Sequence, residues 1–209
     1  MQRFFDILFS SIAISLFFPL LLLVILILMF TGEKEIFYKQ SRVGKNRKSF
    51  KLLKFATMLK DSETKGAGTV TLKNDNRVLP FGKYLRKTKL NELPQLFNIF
   101  LGDMSIIGPR PLHKKQFSFY NENDQKLISS VSPGLSGVGS IFFRDEENLL
   151  QNSSNPDEFY KKNITPKKAK FEKWYVENKS LYLYFKLIIL TLVVVLIPSI
   201  DISRFFNDI

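Results

Sequence analysis

The sequence predicts an α-rich α/β membrane protein, and three observations predict it. Phe4 to Phe30 is almost continuously apolar, interrupted only by Asp6, three serines and Pro19. A second apolar run, Leu181 to Pro198, lies near the C-terminus. Between them the chain is basic, polar and punctuated by glycine and proline, and 209 residues suffice for one compact domain plus membrane segments. The division that follows is a membrane helix over 1–32, a cytoplasmic domain over 33–180 and a hydrophobic, membrane-associated helix within 181–209.

Composition narrows the function classes. Lys and Arg number 31 against 19 Asp and Glu, a net charge of +12. That balance suits phosphorylated ligands, anionic lipid or nucleic acid. No nucleic-acid fold or motif appears, so nucleic acid is set aside as a partner. The absence of Cys excludes disulfides and thiolate metal sites and fits a reducing compartment.

The N-terminal segment is longer than the roughly 20 residues that cross a bilayer. It lacks the small-residue cleavage site of a signal peptide. Pro19 removes a backbone donor and kinks the helix, which leaves two geometries open: a spanning helix with a mild bend, or one that turns back and leaves by the face it entered. Only Arg3 precedes the run, whereas Lys34, Lys39, Arg42, Lys45 and further basic residues follow it, so the soluble part is expected on the cytoplasmic side. Phe37, Tyr38, Phe50 and Phe55 are interleaved with these charges, the mix of a surface resting among lipid headgroups.

Residues 33–59 read as short extended pieces and turns, and Ser62 to Arg77 as a polar loop. Gly82 to Lys89 is a basic stretch, with Lys83, Arg86, Lys87 and Lys89, leading into the central element. That element is Leu90 to Pro111, LNELPQLFNIFLGDMSIIGPRP. Pro94 fits only the first turn of a helix. Leu93, Leu96, Phe97, Phe100 and Leu101 form a stripe expected to be buried, and Gly102 is a C-terminal cap. A short apolar segment then ends in Gly108-Pro109-Arg110-Pro111. Asn91 and Glu92 thus stand at a helix start, with an arginine presented by a stiff turn. Such a group can hold a phosphate, and its carboxylate can hold a metal or move a proton. An ordinary amphipathic helix with a proline-rich turn has the same spacing, and the residues alone leave both readings open.

Ser132 to Gly139, SPGLSGVG, is a glycine-rich turn whose amides could approach a phosphate. Asp145, Glu146 and Glu147 suit either a metal or an exposed helix start. His113, the single histidine, is given no role. Phe159 to Lys179 reads as a basic helix carrying Trp174 and Tyr175, aromatics that favour a membrane interface. Leu181 to Pro198 is marginal in length. It fits a second spanning helix or one lying in plane on the domain, and membrane contact is expected.

The order of these pieces, with QSRVGKNRKSFKLLKFATM, LRKTKLNELPQLFNIFLGDMSIIGPRPL and PGLSG, closely resembles the bacterial sugar transferase family, the small monotopic phosphoglycosyl transferases. The resemblance covers roughly residues 1–190, and its ELPQL, GDMS and GPRP signature is specific. It implies an enzyme that moves a sugar-1-phosphate from a nucleotide diphosphate sugar, usually a UDP-sugar, to polyprenyl phosphate, initiating surface glycan or glycoconjugate synthesis. It implies a re-entrant N-terminal helix broken at Pro19, and a compact cytoplasmic domain with interfacial amphipathic helices on the bacterial inner membrane. It also implies Mg2+ at the Asn91–Glu92 position, with Lys54, Arg86, Arg110 and Arg144 holding phosphates or substrate. A homodimer is left open.

Three departures qualify the resemblance. The family's nucleophilic aspartate is replaced by Asn91, whose amide oxygen is a poor nucleophile. The replacement fits a substitution that blocks turnover, a direct transfer in which the lipid phosphate attacks with Glu92 as metal ligand or base, or Glu92 acting as nucleophile. A catalytically impaired homologue that binds substrates or scaffolds a pathway is the alternative to an active enzyme. Ala56 stands where the family has a basic residue, and SIFFRDEE replaces the usual run after PGLSG.

Overall fold

The computed structural model describes residues 1–62, 75–144, 156–197, 200 and 205–206. The protein is helix-rich, as its apolar periodicities predict. Helix α1 (Gln2–Phe30) runs through Pro19 without interruption and is long and apolar enough to cross a membrane. Most of it faces outward, with Phe4, Ile12, Leu16, Phe18 and Leu23 exposed, while Asp6, Ser10, Leu21, Val24 and Leu28 are buried. Both of its ends contact the same globular body. At the start, Gln2 donates to Ser105 Oγ (2.8 Å), and Arg3 donates to the carbonyls of Ile99 and Phe100. Towards the end, Leu21, Val24 and Leu28 pack into a cluster with Phe55 and Leu85.

Asp6 fixes the first of these contacts. Its Oδ1 accepts from Ser105 Oγ (2.9 Å), the Ile106 amide (3.0 Å) and the Tyr184 hydroxyl (2.8 Å). One carboxylate thereby joins three elements that are far apart in sequence, which offsets the cost of burying it.

The extended pieces over 33–59 form a hairpin of β1 (Phe37–Val43) and β2 (Ser49–Phe55), with Phe37 opposite Phe55 and Val43 opposite Ser49. Its turn places Asn46 and Arg47 in the left-handed region, at φ 53° and 61°. Phe55 does not rest among headgroups as expected. It is 1% exposed, because it faces the α1 cluster.

Helix α2 (Pro80–Lys87) begins on proline, as a first helical turn tolerates. Lys89, at φ 59°, turns the chain into a 3-10 turn (Leu90–Glu92), and α3 (Gln95–Leu101) follows, ending at Gly102 with φ 101°. The buried face of α3 is Gln95, Leu96, Asn98 and Ile99. The expected burial of the whole stripe is therefore corrected: Phe97, Phe100 and Leu101 are 36%, 44% and 71% exposed. The reason is Asn98. Its Oδ1 accepts from the Leu53 amide (2.9 Å) and its Nδ2 donates to the Lys51 carbonyl (2.9 Å), so its side chain completes the free edge of β2 and rotates the helix towards the hairpin.

Strand β3 (Ser105–Ile107) pairs in parallel with β4 (Gly134–Ser136). Between them lie α4 (Lys114–Phe117) and α5 (Glu122–Ile128), and α6 (Val138–Phe142) follows β4. The last described helices are α7 (Pro156–Phe159), a π-helical turn (Tyr160–Ile164), α8 (Thr165–Glu177) and α9 (Leu181–Leu196). Helix α9 packs along the domain. Leu183, Tyr184, Leu187 and Leu190 are buried with Ile107, Val138, Ile141 and Tyr175, while Ile189, Leu192, Val195 and Leu196 are exposed. At 16 residues it is roughly 24 Å long, short of the ~30 Å hydrocarbon core. Trp174 is half-buried in the same cluster, against Phe206.

Candidate active site

A cavity of about 1180 Å³ lies between the hairpin, the 3-10 turn, the segment after β3, the end of α6, and α8 and α9. Every residue expected to hold phosphate, substrate or metal lines it: Lys54, Arg86, Asn91, Glu92, Arg110 and Arg144. Lys54 comes from β2, Arg86 from α2, Asn91 and Glu92 from the 3-10 turn. Pro19 lies apart from it, within α1.

Lys54 Nζ stands 3.2 Å from Glu92 Oε1, and both side chains are largely covered. Burial pushes the Glu92 carboxyl up, but Lys54 and Arg110 together outweigh it and hold it down to about 2. Glu92 is therefore ionised at neutral pH. Burial lowers the Lys54 ammonium pKa, Glu92 opposes this, and Arg42 and Arg110 lower it further. Beside this pair, Asn91 is buried and its Oδ1 has no hydrogen-bond partner among the described residues. α3 has only seven residues, so the charged side chains rather than a helix dipole set the field here.

Arg110 is positioned by the two glycine motifs acting as one unit. Ser105 N–H donates to the Pro133 carbonyl (2.8 Å), Gly108 N–H to Ser136 (2.9 Å) and Gly134 N–H to Pro109 (2.8 Å). A Cβ on Gly108, Gly134 or Gly137 would collide with the facing backbone. Gly134 and Gly137 of SPGLSGVG thus serve backbone approach to Gly108, Gly139 makes room for the Glu172 side chain, and the Gly134 amide donates to Pro109 rather than being offered to a phosphate. The Arg110 amide in turn donates to Glu172 Oε1 (3.2 Å). Glu172 is 2% exposed, and burial raises its carboxyl to about 7 against the pull of the Arg110 amide and Lys168. Lys168, 1% exposed, lines the cavity with its Nζ 3.1 Å from the Tyr160 hydroxyl and over the Phe143 ring.

Sequence reasoning missed Asp6, Asn98, Lys168 and Glu172. An acidic residue inside an apolar run was a usable signal for Asp6. The spacing of Lys168 and Glu172, four apart on a helix, was another. Nothing local distinguished Asn98. The triplet Asp145–Glu147 and residues 63–74 fall outside the described residues. Among the described residues no three acidic or histidine side chains converge on one metal position.

A cation-rich cavity bordered by the apolar helix α9, together with the long apolar helix α1, is the arrangement of a membrane-associated protein. The chain belongs to the bacterial sugar transferase family, whose model matches residues 1–198. It is 34% identical to the exopolysaccharide production protein ExoY of Rhizobium meliloti (strain 1021), covering 97% of this chain and 86% of that protein. It is 32% identical to the UDP-glucose:undecaprenyl-phosphate glucose-1-phosphate transferase of Klebsiella pneumoniae, over 91% of this chain but 39% of that enzyme. The UDP-N-acetylgalactosamine-undecaprenyl-phosphate N-acetylgalactosaminephosphotransferase of Aeromonas hydrophila is 38% identical over 67% of this chain and 33% of its own length. The chain thus spans most of ExoY and little more than a third of these larger transferases.

Proposed function

We propose that this protein transfers a sugar-1-phosphate from a nucleotide diphosphate sugar, most simply a UDP-sugar, to polyprenyl phosphate, initiating a bacterial surface glycan. One observation carries the reading: Lys54, Arg86, Arg110 and Arg144 share a single cavity with Asn91 and Glu92, and apolar side chains of α9 form one of its walls. The reactions printed in the names of the Klebsiella and Aeromonas relatives support it.

In this reaction an oxygen of the lipid phosphate attacks the sugar-bearing phosphorus. The anhydride bond to the nucleoside monophosphate breaks, and its electron pair leaves with that monophosphate. Polyprenyl phosphate is already an anion, so no base is needed. Positioning and charge neutralisation carry such a transfer, and Arg110 and Lys54 supply both. An amide oxygen at position 91 is a poor nucleophile, so the transfer is direct and forms no bond to the enzyme. Ionised Glu92 and the unpartnered Asn91 Oδ1 are oxygen donors that suit Mg2+, which takes few protein ligands and completes its shell from substrate phosphates; bound there it would neutralise charge on the diphosphate.

The protein sits on the cytoplasmic face of the bacterial inner membrane, with both ends of α1 on that face and its exposed apolar side within one leaflet. Contact of both ends of α1 with one body supports this placement. A second reading, a catalytically impaired binder or scaffold, is favoured by Asn91 alone and predicts donor binding without turnover. The test is UMP release from a panel of UDP-sugars by purified protein with Mg2+ and undecaprenyl phosphate. Glu92→Gln is expected to lower it about 100-fold or more; undiminished turnover overturns the assignment.

A further inference from the structure

We propose that α9 forms the binding wall for the isoprenyl chain of the acceptor lipid, guiding it sideways from the bilayer to the phosphate site. The inference rests on the transfer reading above for the identity of that lipid.

The cavity is lined by two chemically distinct kinds of residue. Its lining includes Lys54, Arg86, Glu92 and Arg110, and it also includes Ile188, Leu192 and Val195, contributed by the single helix α9, which makes that helix's share of the lining apolar but for Thr191. A nucleotide sugar is polar throughout and has no use for that apolar share. A prenyl phosphate, an anion joined to a long hydrocarbon, matches both kinds at once. Leu192 and Val195 line the cavity and yet are 59% and 69% exposed, so their apolar side chains border both the cavity and the outer surface. The exposed surface of α9 continues from there to Leu196, 79% exposed.

The wall is held in place. Leu187 and Leu190 anchor its back face in the core, at 0% and 4% exposure. Thr191 Oγ1 and Ser136 Oγ lie 2.8 Å apart, which ties the helix to β4 and so to the strand pair that positions Arg110. Burial of prenyl carbons along this wall supplies affinity in proportion to the apolar area covered, while the cations hold the head.

The experiment places a photoreactive benzophenone side chain at Leu192 or at Ile189, in the full chain reconstituted in phospholipid nanodiscs containing undecaprenyl phosphate. Ile189 is on the same helix and 62% exposed but does not line the cavity, so it reports ordinary lipid contact. Position 192 is expected to form an adduct with undecaprenyl phosphate well above its share of the lipid, and position 189 to label bulk phospholipid. Equal labelling at both, or only phospholipid at 192, overturns the inference. In parallel, Leu192→Asn with Val195→Asn is expected to raise KM for undecaprenyl phosphate about tenfold and leave KM for the nucleotide sugar unchanged. Ile189→Asn leaves both unchanged. Should the wild type turn over no donor, the transfer reading fails, while the adducts still decide whether α9 holds the prenyl chain. Turnover with indifferent adducts sinks only the role of α9.

Discussion

At the scale of single residues, two carboxyls that both interact with Arg110 are pushed in opposite directions. Glu92 is held ionised by Lys54 and Arg110, whereas Glu172, behind Arg110, is pushed up to about 7. A carboxyl whose folded pKa is raised stabilises the protein when protonated. Its contribution is complete below about pH 4.5, falls as pH rises towards 7 and is level beyond. Glu172→Gln keeps an acceptor for the Arg110 amide and removes the titration. The variant is expected to match wild type near pH 5 and to exceed it near pH 8 by up to about 3 kcal/mol. Thermal unfolding in detergent measures this; parallel curves at both pH values contradict it. That Lys54, Arg86, Asn91, Glu92, Arg110 and Arg144 line one cavity was legible because they stand in or beside the segments that carry the family resemblance. Glu172 and Lys168 were not, because their meaning depends on α8 crossing behind Arg110, a contact between segments about sixty residues apart.

At the scale of elements, polar side chains do the joining. Asp6 ties α1 to β3 and α9, and Arg3 occupies the last carbonyls of α3. Replacing Asp6 with leucine strands the Ser105 hydroxyl, the Ile106 amide and the Tyr184 hydroxyl, each buried without an acceptor. The expected cost is about 3 kcal/mol or more, read as a lowered Tm, with Asp6→Asn losing less because an oxygen remains. Equal stability of Asp6→Leu and wild type refutes the anchor. The boundaries of α3 were readable from Pro94 and Gly102, since backbone chemistry fixes them locally. The buried face of α3 was not. Its apolar residues outnumber its core positions, and the face was decided by Asn98 capturing the edge of β2. The outward Phe97, Phe100 and Leu101 remain as exposed apolar surface.

At the scale of the whole molecule, both ends of α1 meet one globular body, and α9 lines the cavity that holds Asn91 and Glu92. The chain has no native cysteine, so single cysteines report topology cleanly. A cysteine in an N-terminal tag and one at Glu33→Cys are both expected to resist a membrane-impermeant maleimide in intact spheroplasts and to react once the membrane is opened. Labelling of the tag alone from outside contradicts the re-entrant placement. The transfer we propose is direct, in a cavity that holds an amide at position 91. It is tested by UMP release from UDP-sugars by purified protein with Mg2+, with and without undecaprenyl phosphate, and alongside Asn91→Asp. Turnover by the wild type is expected to require the lipid strictly, with no sugar-phosphate adduct on the protein by intact mass. A wild type that is silent on every donor, while Asn91→Asp releases UMP, would contradict it.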